Sequence, residues 1–338
     1  MPTSALSVER TLIDARKAVV PALKTAVNGL SAPMRRLAEY HFGWSDQQGA
    51  HVVDTGKGTR PILTLLACEA VGGEFGQAVP AAVAIELVHN ASLLHDDVLD
   101  RDRLRRHRPA IWAVAGVPEA ILLGDALLFL GVRTLAEAPD PLGSTGVKWL
   151  VTAAQQLVEG EHADLMLEER DDFSLAEVTA MAHAKSGVLI AEACALGALA
   201  GGADADRIDH LRAYGAHLGQ AGQLTDDLLG IWGDPAVTGK PRLADLQARK
   251  KSLPVAAALT ADNTAARELA DLYREPSDPD QLQRIADLVE AAGGRAWADE
   301  EARRHARTAL EHLRAAAPTP RAAQALTLLA NQVADRTR

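Results

Sequence analysis

One stretch of the chain carries residues that could bind a metal ion and a phosphate group side by side. It runs from position 86 to 109 and reads ELVHNASLLHDDVLDRDRLRRHRP. Its polar positions recur every three or four residues, which places them on one helix face: His89, Ser92, Asp96 and Asp100. Asp97 lies beside this line, and five arginines follow: Arg101, Arg103, Arg105, Arg106 and Arg108. Carboxylates bind hard cations and arginines bind phosphate oxygens, so the stretch predicts a site for a metal-bound phosphate ester.

A second acidic pair repeats this arrangement far along the chain. Asp226 and Asp227 follow Gln223, which shares a helix face with Asp227. The segment after them is broken by prolines and glycines and is rich in cations: Lys240, Arg249, Lys250 and Lys251. A single charged run is usually a solvated surface whose charges pair with each other. Two such runs favour facing helices that hold metal between them, with basic loops that close over a diphosphate.

Two further features are weaker. Gly56-Lys57-Gly58-Thr59-Arg60-Pro61 forms a cationic entry to a helix N-terminus, where phosphate binds favourably, although many helices begin in this way. Asp125 and Asp164 are isolated acids on apolar helices, and we expect buried structural hydrogen bonds from such positions more often than metal ligation.

Composition indicates an all-α protein. The 338 residues are 48% hydrophobic but only 4% aromatic, and no stretch alternates with a period of two. Helices are expected over about 8–40 with a break near Gly29 and Pro33, and from Pro61 to about Ala70. Further helices are expected over about 77–100, 118–138, 146–169, 175–200, 206–232, 254–273, 279–291, 296–315 and 321–333. No repeat or long linker divides the chain, which predicts one domain over residues 1–338.

Charge and cysteine usage exclude some classes. The formal net charge of −10 argues against nucleic-acid binding. Cys68 and Cys194 lie in apolar helical stretches, which indicates buried free thiols in a reducing cytoplasm. The N-terminus lacks the apolar core of a signal peptide, and the most membrane-like run, 187–203, reads as a buried helix. A cytoplasmic protein without a transmembrane segment is expected.

These elements together resemble the trans-polyprenyl diphosphate synthase family, and the resemblance covers most of the chain. LLHDDVLDRDRLRRHRPA is similar to the family's first aspartate-rich motif with its arginine pair, and QLTDDLLGIWGDPAVTGK to the second. GKGTRP, LLGDALL and HAKSG also match, in the family's order and with its separations. After Pro254 only a helical pattern remains.

The resemblance implies an all-α helical bundle around a deep central cavity, usually in a homodimer. It also implies condensation of isopentenyl diphosphate with an allylic diphosphate and three Mg²⁺ ions per active site. The metal ligands would be Asp96, Asp100 and Asp226, with Asp97 and Asp227 in support and Asp164 on a metal-bound water. The allylic diphosphate would contact Arg105, Lys185 and Lys240, with Ser186 beside Lys185, Gln223 at the metal edge and Lys250 closing the lid. Isopentenyl diphosphate would contact Lys57, Arg60, His89 and Arg106.

The chain departs from the family pattern at two of these positions. Ser186 stands where a threonine often follows the lysine. Gly230 stands where the second motif often ends in a third aspartate, and Asp234 lies on a different helix face and cannot replace it. The second departure predicts a changed metal affinity rather than a changed reaction.

Product length in this family depends on the bulk just before the first motif. Ala91 and Ser92 lie five and four residues before Asp96, about one turn away, and both are small. We therefore expect geranylgeranyl diphosphate (C20), with farnesyl or longer chains as alternatives. Phe129 or Leu130 on the next helix is the candidate for the channel floor.

Two other functions stay open at this stage. A class I terpene cyclase would share fold and metal chemistry but would not need Lys57, Arg60 and His89 as a second diphosphate site. A non-catalytic regulatory subunit of a prenyl synthase would not need both acidic pairs.

Overall fold

The computed structural model of the chain describes residues 3–52, 58–168, 170–235, 242–274 and 278–335. Within these residues ten helices come first: α1 Thr3–Asn28, α2 Ala32–His41, α3 Thr59–Ala70, α4 Phe75–Leu99, α5 Ile111–Ala115, α6 Val117–Ala136, α7 Val147–Glu168, α8 Leu175–Ala182, α9 Val188–Ala200 and α10 Ala205–Trp232. Six follow: α11 Ala244–Gln247, α12 Leu253–Leu259, α13 Thr264–Arg274, α14 Leu282–Ala291, α15 Gly294–Ala315 and α16 Pro320–Asp335. Short π-helical turns, Leu142–Gly146 and His183–Gly187, precede α7 and α9, and a 3₁₀ turn, Pro279–Gln281, precedes α14.

The expected all-α class is confirmed. The short helices α5 and α11 were not expected, and the helix expected over 175–200 is divided into α8 and α9 by the π-helical turn His183–Gly187. The helix expected over 254–273 is two helices, because Thr260 ends α12 and Asn263 starts α13 by accepting the backbone N–H of Ala266. The predicted absence of a sheet is wrong by one small ribbon, in which β1 (Leu104–Arg105) pairs antiparallel with β2 (Arg108–Pro109). Its strands have two residues each, too few for alternation to show in the sequence.

The described chain forms two compact units, each assembled from three stretches of sequence. Unit 1 comprises residues 1–154, 192–212 and 313–326, and unit 2 comprises 155–191, 213–312 and 327–338. All five boundaries between these stretches fall inside helices, for example those after Ala154 in α7 and after Arg212 in α10. A single domain therefore stays a prediction, and the two acidic pairs are described below unit by unit.

Helix α4 is the centre of unit 1. It begins with a capping box in which Glu74 and Gln77 bond to each other's backbone. Between Ala81 and Ala91 its apolar residues are buried on all sides, as expected for a helix enclosed by others. It packs most extensively against α6, where Gly131 allows a close approach of the two helices: a β-carbon there would lie 3.0 Å from the Ala84 carbonyl oxygen. This packing fixes the direction of the C-terminal end of α4.

Unit 2 holds the second acidic pair on the carboxyl half of α10. Leu224 and Leu228 bury one face of that helix in an apolar cluster with Leu253 of α12 and Ala298 of α15. His217 on α10 also meets His305 on α15, with 2.8 Å between their Nδ1 atoms. Burial, then the positive charge of Arg304, lowers the pKa of His305 to about 4.

Both cysteines are buried free thiols, as expected. Among the described residues one helix, Phe75–Leu99, is long and apolar enough to cross a bilayer. The run 187–203, which the sequence analysis singled out as the most membrane-like and interpreted as a buried helix, does not meet that criterion. Because 67% of the apolar window of Phe75–Leu99 is buried inside the protein, its composition is that of a core helix and gives little support to a membrane span.

Candidate active site

The end of α4 brings the first acidic set together with one arginine. The carboxylate oxygens of Asp96 and Asp100 approach within 4.8 Å. Arg105, on the short ribbon, donates from Nη2 to Asp96 Oδ2 at 2.9 Å and from Nε to Asp97 Oδ1 at 2.8 Å. The guanidinium of Arg105, which was predicted to contact an allylic diphosphate, bridges the carboxylates of Asp96 and Asp97.

Asp97 is the buried member of this set. Its side chain is 1% exposed, and its Oδ2 has no hydrogen-bond partner among the described residues. Burial raises the pKa of Asp97 to about 6, and the charge of Arg105 opposes that rise. A buried carboxylate oxygen without a donor is costly, and a cation is the kind of group that would satisfy it.

The ribbon that carries the arginines is held in a tight turn. Arg106 and His107, its two central residues, have φ of 52° and 63°, as a two-residue type I′ hairpin turn requires. Arg108 anchors it, donating to the carbonyl oxygens of Tyr40 at 2.7 Å and Ser45 at 3.0 Å. Non-glycine residues at positive φ cost about 1 kcal/mol or more each, so the anchor has to offset this strain. Arg105, Arg106 and Arg108 line one small cavity.

Arg60 and His89, both predicted to contact isopentenyl diphosphate, meet in unit 1. Arg60 Nη1 donates to His89 Nε2 at 3.0 Å, so Nε2 is the unprotonated nitrogen of a neutral ring. Burial, then the charges of Arg60 and Arg106, keep the pKa of His89 well below its usual value. Lys57, the third residue assigned to this subsite, lies outside the described residues.

A buried polar chain lies beside these residues. His41 Nε2 is 3.1 Å from Asn90 Oδ1, and Asn90 Nδ2 donates to Glu86 Oε1 at 3.0 Å. Burial lowers the pKa of His41 to about 3 and raises that of Glu86. His41 and Asn90 were missed in the sequence. A polar Asn90 within an apolar helical stretch could have indicated a buried hydrogen bond. Its partner His41 could not be identified in this way, because it lies 49 residues away in the sequence.

The residues assigned to product length occupy different environments on α4. Ala91 is 3% exposed, whereas Ser92 is partly exposed and donates to the His89 carbonyl oxygen at 2.8 Å. Leu130 is buried, but Phe129 is 69% exposed, so the suggestion that Phe129 forms a channel floor is wrong. Helix periodicity alone did not show which side of α6 faces the core.

The expectation for Asp125 is also wrong. Its side chain is 49% exposed and lies 3.6 Å from His95 Nε2, rather than in a buried hydrogen bond. The His95 ring packs on Gly124, where a β-carbon would lie 2.2 Å from Nε2. An apolar neighbourhood in sequence did not imply burial of this acid.

In unit 2, Lys185 and Asp164 come together as a tight ion pair. Lys185 Nζ donates to Asp164 Oδ2 at 2.7 Å and to Glu161 Oε1 at 3.0 Å. Lys185 lies in the π-helical turn His183–Gly187, and a β-carbon on Gly160 would come within 2.5 Å of its backbone nitrogen. Glu161 is a site residue that the sequence analysis did not assign.

A chain of hydrogen bonds supports the second acidic pair. Ser186 Oγ is 2.5 Å from Gln223 Oε1, and Gln223 Nε2 donates to Asp227 Oδ1 at 2.6 Å. Asp227 Oδ2 accepts the backbone N–H of Leu253 at 2.8 Å. Asp227 is therefore buried and anchored at both oxygens, while Asp226 is exposed. Burial, then the charge of Asp245, raises the pKa of Asp227 to about 8.

The basic segment after this pair is described only in part. Lys240 lies outside the described residues. Lys250 is partly exposed, and its carbonyl oxygen accepts from the Tyr273 hydroxyl at 3.4 Å. Lys251 is buried and donates to the carbonyl oxygens of Leu167 at 2.6 Å and of Arg170, so it ties this segment to the end of α7.

Comparison with known proteins shows the family of the chain. The model of the polyprenyl synthetase family matches residues 43–291. A (2E,6E)-farnesyl diphosphate synthase of Mycobacterium bovis is 40% identical over 328 residues, covering 95% of this chain and 91% of that one. A geranylgeranyl diphosphate synthase of Mycobacterium tuberculosis is 42% identical over 278 residues, covering 81% and 79%. The crystal structure of a polyprenyl synthetase from Streptomyces coelicolor superposes with a TM-score of 0.91 at 43% identity, covering 96% and 99%. With its all-α fold and both acidic motifs, this chain belongs to the polyprenyl synthetase family.

Proposed function

We propose that this chain, a prenyltransferase by its family, condenses isopentenyl diphosphate head-to-tail with an allylic diphosphate in a Mg²⁺-dependent reaction. The observation that carries the proposal is the contact of Arg105 with Asp96 and Asp97 at the end of α4, where Asp100 presents a carboxylate oxygen within 4.8 Å of one from Asp96. Carboxylates and a guanidinium in contact are the groups that a metal-bound diphosphate needs.

The donor set fits a hard divalent cation. Asp96 and Asp100 present carboxylate oxygens within 4.8 Å, and Asp97 Oδ2 lacks a donor among the described residues. We assign Asp96, Asp100 and Asp226 as direct ligands, for three Mg²⁺ ions per site. Asp97 and Asp227 act as supports, since both are buried and held by hydrogen bonds. When bound, Mg²⁺ supplies charge that stabilises the departing diphosphate.

The cationic residues divide between the two substrates. Arg60, His89, Lys57 and Arg106 hold isopentenyl diphosphate. Arg105, Lys185 and Lys240 hold the allylic diphosphate, aided by Ser186, Gln223 and Lys250. Because Asp164 holds the Lys185 ammonium in the described structure, a diphosphate must compete with that carboxylate for it.

The reaction forms one carbon–carbon bond. The allylic C–O bond breaks, its electron pair leaves with diphosphate, and the isopentenyl double bond attacks the allylic carbon before a proton is lost. The chain has to stabilise the leaving diphosphate and exclude water from the cation. Arginine and lysine N–H groups serve the first task, and the apolar residues of α4 serve the second.

We infer a C20 product. Ala91 and Ser92 are small, and relatives of comparable identity are named as C15 and C20 synthases, so family likeness alone does not decide the length. Ser92 is the better candidate for a residue along the growing chain, because it is partly exposed one turn before Asp96 whereas Ala91 is enclosed in the core.

We also propose a cytoplasmic homodimer. Helix α6 exposes three apolar side chains at spacings of four and eight residues, Val117, Ile121 and Phe129, so they lie on one face of the helix, together with Asp125. A second copy of the chain would remove these apolar side chains from water.

The experiment that tests the function is release of diphosphate by the purified chain with both substrates, each substrate alone, and EDTA. Asp96→Ala and Asp226→Ala should each lower kcat by orders of magnitude, since several kcal/mol of charge stabilisation correspond to about tenfold per 1.4 kcal/mol. Asp234→Asn, on an exposed position beyond α10, is the matched control. Near-wild-type turnover in either alanine variant contradicts the metal assignment.

A further inference from the structure

The buried polar chain of unit 1 has fixed donors and acceptors. Asn90 is fully buried, and its Nδ2 lies 2.8 Å from the backbone carbonyl oxygen of Glu86 and 3.0 Å from Oε1 of the same residue. A carbonyl oxygen can only accept a hydrogen bond, so this end of the Asn90 amide must be the nitrogen. The Oδ1 of Asn90, 3.1 Å from Nε2 of His41, is then an acceptor, and Nε2 of His41 must carry a proton.

This hydrogen bond determines the tautomer of His41. Burial, then the positive charge of Arg106, lowers the pKa of His41 to about 3, so the ring is neutral at pH 7. A neutral imidazole has one N–H and one acceptor nitrogen. With its proton on Nε2, His41 presents Nδ1 as an acceptor. The side chains of Arg105, Arg106 and Arg108 line the same small cavity as His41, and a guanidinium has donors only.

Two of the three guanidinium groups are held by oxygen atoms. Arg105 donates to two carboxylates of α4, and Arg108 donates to two backbone carbonyl oxygens. Arg106 is the third, and among the charged groups it has the largest effect on the pKa of His41. Its charge also lowers the pKa of His89. The guanidinium of Arg106 is therefore the donor that Nδ1 of His41 serves best.

We propose that His41 and Asn90 are positioning residues for isopentenyl diphosphate. Nδ1 of His41 accepts an N–H of Arg106 and directs the other donors of that guanidinium towards the diphosphate. Asn90 keeps the proton of His41 on Nε2, because a ring with its proton on Nδ1 would present a donor to a group that has no acceptor. The inference rests on the proposed function, in which Arg106 contacts isopentenyl diphosphate, and it adds two residues that no motif of the sequence assigns.

A plain structural role is the competing explanation. His41 is the last residue of α2 and Asn90 lies within α4, so their hydrogen bond joins two helices. Joining the helices needs only the N–H at Nε2, whereas positioning Arg106 also needs the acceptor at Nδ1. The two roles use different nitrogen atoms and can be separated by substitution.

Two amide variants of His41 make this separation. His41→Gln keeps a donor that reaches Asn90 but has a carbon atom in the place of Nδ1. His41→Asn keeps an acceptor in the place of Nδ1 but is too short to reach Asn90. We expect His41→Gln to melt near wild type while its KM for isopentenyl diphosphate rises about tenfold or more, as loss of one hydrogen bond to a charged group does. Its KM for the allylic primer should stay near that of wild type.

His41→Asn should show the opposite order, with a lower melting temperature and a KM for isopentenyl diphosphate closer to that of wild type. His51→Gln, at an exposed histidine outside the polar chain, is the matched control and should behave as wild type in both measurements. NMR of the full chain with ¹⁵N-labelled histidine tests the tautomer without turnover. The His41 signals, identified by their loss in His41→Gln, should show a proton on Nε2 and none on Nδ1 at pH 7.5.

A proton on Nδ1, an unchanged KM for isopentenyl diphosphate in His41→Gln, or an equal rise of that KM in both amide variants overturns the inference and leaves the proposed function intact. If His41→Asn does not fold, the KM of His41→Gln and the tautomer decide. Absence of turnover of isopentenyl diphosphate by the wild-type chain contradicts the proposed function, and the positioning role falls with it.

Discussion

Removing the guanidinium of Arg105 should destabilise the chain, and Mg²⁺ should reverse much of that loss. Arg105 donates to Asp96 and Asp97, and the Asp97 side chain is 1% exposed. In Arg105→Ala neither oxygen of the buried Asp97 carboxylate would have a partner among the described residues, and the pKa of Asp97 would rise further above its usual range. Breaking a buried ion pair costs about 3–5 kcal/mol, but Arg105 and Asp96 are about one-fifth exposed and screened, so we expect about 2–3 kcal/mol.

The role of Mg²⁺ follows from linkage. A ligand at 100 times its Kd stabilises the folded state by about 2.7 kcal/mol, which is close to the expected loss. In wild type the guanidinium already neutralises these carboxylates and repels a second cation, so Mg²⁺ should stabilise the variant more than wild type. Mg²⁺ should also stabilise Arg105→Ala more than it stabilises Arg103→Ala, a control variant at an exposed arginine nearby.

Urea unfolding at pH 7.5, in EDTA and in saturating Mg²⁺, measures both effects. Equal midpoints for Arg105→Ala and wild type in EDTA would show that the pair contributes little stability. An equal Mg²⁺ gain in the two proteins would show that the cation does not act at the carboxylates that Arg105 holds. Either result refutes the reasoning.

Three other outcomes are expected. Ser92→Phe should shorten the main product to C15 in chain-length analysis, and unchanged products would show that Ser92 does not line the channel. Ala91→Phe should instead lower the melting temperature, because a ring forced into the core costs about 1–3 kcal/mol. In steady-state kinetics Arg60→Ala should raise KM for isopentenyl diphosphate more than for the allylic primer, and Arg105→Ala should do the reverse; equal effects would indicate one shared anion site. The folded pKa of His305 is lowered to about 4, below its unfolded value, so its contribution to stability is present above pH 6.5 and is lost as the pH falls towards 4. When the pH is lowered from 7.5 to 5, the free energy of unfolding of His305→Asn, measured in urea, should fall by about 1 kcal/mol less than that of wild type, after allowance for the partial exposure of His305. Equal losses in the two proteins would contradict a lowered pKa of His305.

The helices and the acidic motifs were predictable because their signals are local. Apolar periodicity, proline and glycine placed α4, α6 and α10 within two residues of their observed ends. The division of the helix expected over 254–273 into α12 and α13 was missed, because the break depends on Asn263 as a cap rather than on a glycine or proline.

The contacts that assemble the site were not predictable in the same way. The sequence placed Arg105 among several arginines, but only the hairpin turn at Arg106 and His107 directs its guanidinium back to Asp97. Likewise, the sequence suggested only that an aspartate is missing at Gly230, because Asp245, whose carboxylate fills the space beside Gly230, lies 15 positions downstream. Which of two small residues, Ala91 or Ser92, is accessible depends on the packing of α4 against its neighbours.

The most direct test of the central claim is a product analysis of the purified wild-type chain. Labelled isopentenyl diphosphate is incubated with Mg²⁺ and allylic primers of increasing length, and the products are separated by chain length. We expect the label in prenyl diphosphates that end mainly at C20, and no product with EDTA or without a primer. A hydrocarbon formed from the allylic diphosphate alone, or no incorporation of label with any primer, would contradict the account.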